Sequence, residues 1–84
     1  MNVAFHPAFV RQLKKLSPAI QEDVVATVEI IKRDWRHTTL KTHKLRGDLS
    51  DYYSAKVNYS HRIIFELHKN QIYLLEVGDH DLYK

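Results

Sequence analysis

Histidine, lysine and arginine residues that could act on a phosphodiester are spread over the second half of the chain. They include His43, Lys56, Arg62 and His80. Histidine exchanges protons near neutral pH and can serve as a general acid or a general base. Lysine and arginine stabilise the negative charge that develops on a phosphate, and arginine can hold two of its oxygens. These residue types could cleave RNA without a metal, by activating a 2′-OH for in-line attack and protonating the leaving 5′-oxygen.

Each of these side chains also has an ordinary structural interpretation. His80 could be a solvated turn residue, and His43 could be one more polar residue of a basic loop. Arg62 could form an ion pair across a sheet with Glu66 or Glu76. The lysine could simply be solvated on the outer face of a strand. Residue type and spacing alone leave both interpretations open.

A basic segment occupies the middle of the chain. The net charge is +3 with neutral histidines, and residues 32–46 concentrate six cations against a single acid. Those cations are Lys32, Arg33, Arg36, Lys41, Lys44 and Arg46. Such a segment attracts a polyanion over a long range, although an ordinary solvated surface can have the same composition. We predict that Lys41, Lys44 and Arg46 attract RNA phosphates regardless of sequence.

Several classes of protein are excluded by what the sequence lacks. Without cysteine there can be neither a disulfide framework nor a thiolate metal site. The histidines follow no metal-binding spacing, so we predict no metal and no cofactor. No apolar run approaches the ~20 residues that a membrane span needs. The first residues lack the basic and apolar parts of a signal peptide, which favours a cytoplasmic protein without a membrane partner.

The elements that must position these residues are organised around a hairpin. Residues 61–67 and 71–77 are rich in Ile, Phe, Tyr, Leu and Val, which predicts two paired strands at the centre of a sheet. A polar turn joins them, and Asn70 is expected to take the positive φ there. Residues 52–58 alternate polar and apolar side chains and predict a further, half-buried strand.

The first half of the chain predicts a short strand and two helices. Residues 2–5 suit a strand, and Pro7 starts a helix because proline is accepted at the first helical position. Ser17 and Pro18 end that helix and cap a second one. Its apolar residues repeat at helical spacing up to Trp35, although several also alternate as they would in a strand. The preceding cap favours the helix.

The resulting element order is β-α-α-β-β-β within a single domain of residues 1–84. We predict an α+β fold in which an N-terminal helical hairpin covers one face of a small, mainly antiparallel, twisted sheet. The second helix is expected to end near residues 37–39, and a basic loop then leads into the sheet. The other face of the sheet is left free to bind a ligand.

Four motifs in this order carry a family likeness. They are His43-Lys44-Leu45-Arg46-Gly47, Tyr53-Ser54-Ala55-Lys56-Val57, His61-Arg62-Ile63-Ile64-Phe65 and the terminal Gly78-Asp79-His80-Asp81-Leu82-Tyr83. Together with the element order, they resemble the RelE/ParE superfamily of bacterial toxins over essentially the whole chain. The resemblance implies a RelE-like fold.

The resemblance also implies a toxin that cleaves messenger RNA, usually in the ribosomal A site, and that a cognate antitoxin neutralises. The histidine-rich YafQ-type branch is the most similar, since His43 falls on its first active-site histidine and His80 on its C-terminal one. Lys56 replaces a second histidine of that branch, although RelE has a lysine near this place. Ser60 replaces its aspartate, and Tyr83 comes one residue earlier than its closing aromatic residue.

By this resemblance the protein would be a ribosome-dependent, metal-independent endoribonuclease whose partners are an antitoxin, the ribosome and mRNA. Its catalytic residues would be His80, His43, Lys56, Arg62 and Tyr83, of which the tyrosine stacks on an unpaired base. We assign His80 as general acid, because neighbouring carboxylates favour imidazolium, and His43 as general base. Two alternatives stay open: a ParE-like toxin that poisons DNA gyrase by binding, and an inactive RNA-binding relative.

Overall fold

The fold is a five-stranded sheet with two helices packed on one face. The computed structural model describes residues 1–46 and 52–79. Its elements are β1 (Asn2–Phe5), α1 (Pro7–Lys14), α2 (Pro18–Asp34), a 3-10 helix (Thr38–Leu40), β2 (His43–Lys44), β3 (Tyr52–Lys56), β4 (His61–His68) and β5 (Gln71–Asp79). The strand order is β1-β5-β4-β3-β2, with β1 parallel to β5 and all other neighbours antiparallel. The predicted α+β fold is confirmed.

Two boundaries in the middle of the chain differ from the sequence prediction. Helix α2 ends at Asp34, before residues 37–39, because His37 caps a separate 3-10 turn there. The predicted basic loop contains the short edge strand β2. Its two residues are both charged or polar and too few to show alternation, so the sequence gives no sign of it.

The β4–β5 hairpin forms the centre of the sheet, as predicted, and its strands pair along their whole length. The turn differs from the prediction in one respect. Lys69, not Asn70, has a positive φ, 57°. Lys69 is the first of the two turn residues, which is the position where a type II′ turn requires a positive φ.

Both helices begin at the predicted prolines, Pro7 and Pro18, and bury one apolar side. His6 Nδ1 accepts a hydrogen bond from Ala8 N–H at 3.0 Å, and Ser17 Oγ accepts one from Ile20 N–H at 3.4 Å. The helices and the sheet share a buried core. It contains Phe9, Val24, Val28, Ile31, Leu40, Ala55, Ile63, Phe65, Ile72, Leu74 and Val77. The helical stripe of α2 is thus confirmed, and the alternative of a strand is wrong.

An aromatic cluster joins the end of α2 to the sheet. The Trp35 ring lies edge-on to Tyr53 at 5.2 Å and to Phe65 at 6.2 Å, and the latter two rings stack at 5.6 Å. These separations are in the favourable range for aromatic pairs. The Arg36 guanidinium lies 4.7 Å from the centre of the Trp35 ring, so this cation of the basic segment covers the cluster.

Helix α1 closes the part of β5 that β1 does not reach. Strand β1 pairs only with residues 71–74, and β5 has a bulge immediately beyond them. Gln12 Oε1 accepts a hydrogen bond from Val77 N–H at 2.9 Å, and its Nε2 donates one to Glu76 Oε1 at 3.2 Å. A side-chain amide therefore takes the place of a neighbouring strand at this edge.

We expect Gln12→Ala to lower the free energy of unfolding by about 1–3 kcal/mol, because the part-buried Val77 N–H loses its acceptor. Urea denaturation measures this change. Arg11→Ala, exposed on the same helix, is the matched control and should change the free energy of unfolding by less than about 0.5 kcal/mol. Equal losses in the two variants would mean that the amide does not stabilise the edge.

Candidate active site

Three of the predicted catalytic side chains lie on the sheet face opposite the helices. Lys56 on β3 lies directly opposite Arg62 on β4. His43 on β2 lies opposite Ser54, two residues before Lys56, and residues two apart on a strand share a face. His43, Lys56 and Arg62 therefore share one face across three neighbouring strands, and we call this face the open face.

Arg62 presents a guanidinium on the open face that has no partner among the described residues. Its side chain is half-buried, yet within the described residues it makes neither an ion pair nor a hydrogen bond. Of the two carboxylates considered from the sequence, that of Glu76 accepts from Gln12, and that of Glu66 makes no ion pair with Arg62. A guanidinium without a carboxylate partner is suited to two-point binding of a phosphate.

The His43 ring is held so that one nitrogen is available for proton transfer. Its Nδ1 lies 3.3 Å from the Lys41 carbonyl oxygen, which can only accept a hydrogen bond. In the neutral ring this contact assigns the hydrogen to Nδ1 and leaves Nε2 as the acceptor. Lys41 has a positive φ of 48° at the end of the 3-10 helix, where the chain turns into β2. The exposed His43 side chain is therefore arranged as a general base requires.

Ser54 lies beneath this site and was not singled out from the sequence. Its side chain is fully buried, and Oγ has no hydrogen-bond partner within the described residues. Ile64, opposite Ser54 on β4, is also buried although it faces away from the helices. Ser54 and Ile64 therefore lie buried at the centre of the open face. A serine at an alternating strand position predicts exposure, so this burial could not be predicted from the sequence.

The predicted RNA-binding cations lie within three residues of His43 in the sequence. Lys41, Lys44 and Arg46 are all exposed, as long-range attraction of phosphates requires. Lys44 lies opposite Tyr53, so it is on the other side of β2 from His43. A depression of about 310 Å3 runs along this edge of the sheet. It is lined by Trp35, Arg36, Thr42, His43, Lys44 and Tyr53.

We expect the triple variant Lys41→Gln, Lys44→Gln, Arg46→Gln to bind RNA with a weaker salt dependence. Each phosphate contact with a single strand adds about 0.7 to the slope of log affinity against log salt, so the slope should fall by about 2. The matched control replaces Arg11, Lys14 and Lys15, three exposed cations of the α1 region, with glutamine. A changed cleavage preference with an unchanged salt slope would contradict a phosphate-binding role for the three basic residues.

Two predicted catalytic residues, His80 and Tyr83, lie outside the described residues. The described part of β5 ends at Asp79, and Arg62 pairs with Gly78 just before that end. The roles of this histidine and this tyrosine remain predictions from the sequence.

Residues 1–46 and 52–79 contain no group of three or more His, Cys, Asp or Glu side chains placed to hold a metal ion. In the same ranges, no helix has the length and apolar character needed to cross a membrane.

Comparison with known proteins identifies the family. Residues 8–81 match the model of the YoeB-like toxin of bacterial type II toxin-antitoxin systems. The chain belongs to this family. The predicted membership of the RelE/ParE superfamily is thereby confirmed, and the protein is a type II toxin. No curated protein matched the chain.

Solved structures share the toxin's fold. A YoeB/ParE toxin from Agrobacterium tumefaciens is 15% identical with a TM-score of 0.81, covering 95% of this chain and 99% of its own. YafQ from E. coli is 14% identical with a TM-score of 0.83, covering 99% and 98%. YoeB from Staphylococcus aureus, in complex with YefM, is 23% identical with a TM-score of 0.78, covering 95% and 97%. At these identities the similarity shows the fold alone.

The family model refines the sequence interpretation in one respect. The sequence motifs favoured the YafQ-type branch, whereas the matching model describes YoeB-like toxins. Structures of both kinds superpose on the toxin, and their low identities do not separate the branches.

Proposed function

We propose that this toxin is a ribosome-dependent endoribonuclease that cleaves messenger RNA without a metal and so inhibits translation. The observation that carries the proposal is the half-buried Arg62, which is unpaired within the described residues and in register with Lys56 on the open face of the sheet. Two cations at this spacing suit a phosphodiester and its more highly charged transition state. Family membership supports the proposal, because the chain belongs to a family of toxins.

The proposed reaction is an internal transesterification. His43 Nε2 takes the proton from the 2′-OH, and the 2′-oxygen attacks the neighbouring phosphorus. Arg62 and Lys56 bind the non-bridging oxygens as charge develops on them. The bond from phosphorus to the 5′-oxygen breaks, and His80 protonates the leaving oxygen. Tyr83 stacks on an unpaired base of the substrate. The products are a 2′,3′-cyclic phosphate and a 5′-OH end.

Substrates with a single 2′-deoxy nucleotide test this chemistry. A 2′-deoxy nucleotide at the cleaved linkage should abolish cleavage of that linkage. A 2′-deoxy nucleotide one position away should leave cleavage of the original linkage unaffected. The ends of the wild-type products should be a cyclic phosphate and a 5′-OH. A cut that survives removal of the 2′-OH would exclude the proposed reaction.

The ribosome and the alternative targets are tested together. Purified toxin should cleave an mRNA that is being translated, and primer extension should place the cuts within codons. The same mRNA without ribosomes should be cleaved far more slowly. Induction of a DNA-damage response without RNA cleavage would instead favour a ParE-like action on gyrase, and no growth effect would favour an inactive RNA-binding relative.

We also propose that a cognate antitoxin covers the open face. YoeB from Staphylococcus aureus was solved in complex with YefM, and YafQ from E. coli in complex with DinJ. An acidic or amphipathic segment would complement the cations around His43 and Arg62 and block access to them. The purified complex should therefore lose RNA cleavage. Full cleavage by the intact complex would show that the antitoxin acts elsewhere.

A further inference from the structure

A shallow pocket lies on the open face near the β4–β5 turn. Its volume is about 210 Å3, and it is lined by Glu66, His68, Gln71 and Tyr73. All four residues lie on the open face, because Glu66 pairs with Tyr73 and His68 pairs with Gln71. Arg62 is on the same face of β4, about 13 Å away along the strand at 3.3 Å per residue. The pocket and Arg62 therefore belong to one continuous surface.

Glu66 determines what the pocket can bind. Its half-buried carboxylate makes no ion pair and no hydrogen bond within the described residues. An ionised carboxylate only accepts hydrogen bonds, so a ligand must offer N–H or O–H donors. Gln71 adds an exposed amide that can donate or accept, and Tyr73 adds an aromatic ring, 5.7 Å from that of His6. A planar ligand with donors along one edge fits this set.

Among the RNA bases, unpaired guanine fits best. Its Watson–Crick edge carries two adjacent donors, N1–H and N2–H, which one carboxylate can accept together, and an O6 acceptor that a glutamine amide can satisfy. Adenine, cytosine and uracil each place an acceptor directly beside the donor, and that acceptor would face the negative charge of Glu66. The tyrosine ring offers a stacking surface to any base.

We propose that this pocket is a guanine-binding subsite, which holds a nucleotide close to the one whose phosphate lies at Arg62. The proposal rests on the proposed function, since both sites would bind the same RNA strand. The subsite would give the toxin a preference for cutting at a fixed distance from an unpaired guanine. The carboxylate repels phosphates, so it selects a base at a surface where the neighbouring cations hold the backbone.

Nucleoside binding tests the subsite without any cleavage. In an NMR titration, guanosine should shift the amides of residues 66–73 and bind at least about tenfold more tightly than adenosine, cytidine or uridine. Glu66→Gln should remove this preference, whereas Tyr73→Leu should weaken binding of all four nucleosides. Glu22 is exposed on α2, so Glu22→Gln is the matched control and should leave both the nucleoside affinities and the guanosine preference unchanged. The amide spectra also report whether each variant is folded.

Cleavage mapping gives a second readout. Cuts by the wild-type toxin should be enriched for guanine at one fixed position, and Glu66→Gln should lose that enrichment. Equal binding of the four nucleosides, or a guanine preference unchanged in Glu66→Gln, would overturn the subsite. Selective guanosine binding by a toxin that cleaves no RNA would keep the subsite and overturn the nuclease proposal instead.

Discussion

Replacing Arg62 with alanine should lower the single-turnover rate of RNA cleavage by about 10²–10³-fold, the usual effect of removing one preorganised donor to a transition state. Its guanidinium has no partner within the described residues, so the substitution breaks no ion pair seen there and should leave the fold intact. Arg62→Lys keeps the charge but loses two-point binding of the phosphate, so its cleavage rate should lie between those of the wild-type toxin and of Arg62→Ala.

Arg33 provides the matched control for this experiment. It is an exposed arginine in the last turn of α2, away from the open face, and Arg33→Ala should cleave at the wild-type rate. Urea denaturation of both variants separates a loss of chemistry from a loss of folding. Wild-type cleavage by a folded Arg62→Ala variant would remove the observation on which the proposed function depends.

Replacing His80 with alanine should lower the single-turnover rate by at least ~10²-fold, the usual contribution of a positioned acid or base. Folding and antitoxin binding should be unchanged. His43→Ala should cause a loss of similar size, because it removes the other proton-transfer group. The two variants differ in which proton they fail to move, and substrate chemistry can distinguish them.

A substrate with sulfur in place of the 5′-oxygen distinguishes the two roles. The thiolate leaves without a proton, so this substrate has no need of a general acid. It should restore cleavage by His80→Ala much more than by His43→Ala. Equal rescue of the two variants would refute the assignment of acid and base, and wild-type cleavage of the ordinary substrate by His80→Ala would exclude the residue from the site.

The helices and the central hairpin could be predicted because local sequence encodes them. Ser17 and Pro18 specify a helix start by backbone geometry and capping, and the observed cap uses Ser17 Oγ. The strands of the hairpin are marked by dense β-branched and aromatic residues. Two wrong predictions were also local. The two residues of β2 are too few to form a pattern, and the Lys69-Asn70 turn has two positions, of which the one predicted to take the positive φ was the wrong one.

The geometry of the site could not be predicted, because it depends on contacts between distant segments. Residue type identifies Lys56 and Arg62 as cations, but only the strand register shows that they lie opposite each other. Whether Arg62 pairs with a carboxylate was undecidable from the sequence. Its candidate partner Glu76 is instead held by Gln12, 64 residues earlier in the chain, and nothing near either residue indicates that contact.

Strand β1 emerges from the ribosome before the other strands, but among the described residues its neighbour is β5, the last strand of the sheet. Synthesis proceeds at roughly 5–20 residues per second, so the nascent β1 stays without a neighbour for several seconds. Throughout that time α1 also lacks the β5 edge that Gln12 closes. The sheet is therefore completed only when translation has passed β5. Under the proposed function, a toxin still being synthesised cannot yet attack the message that encodes it.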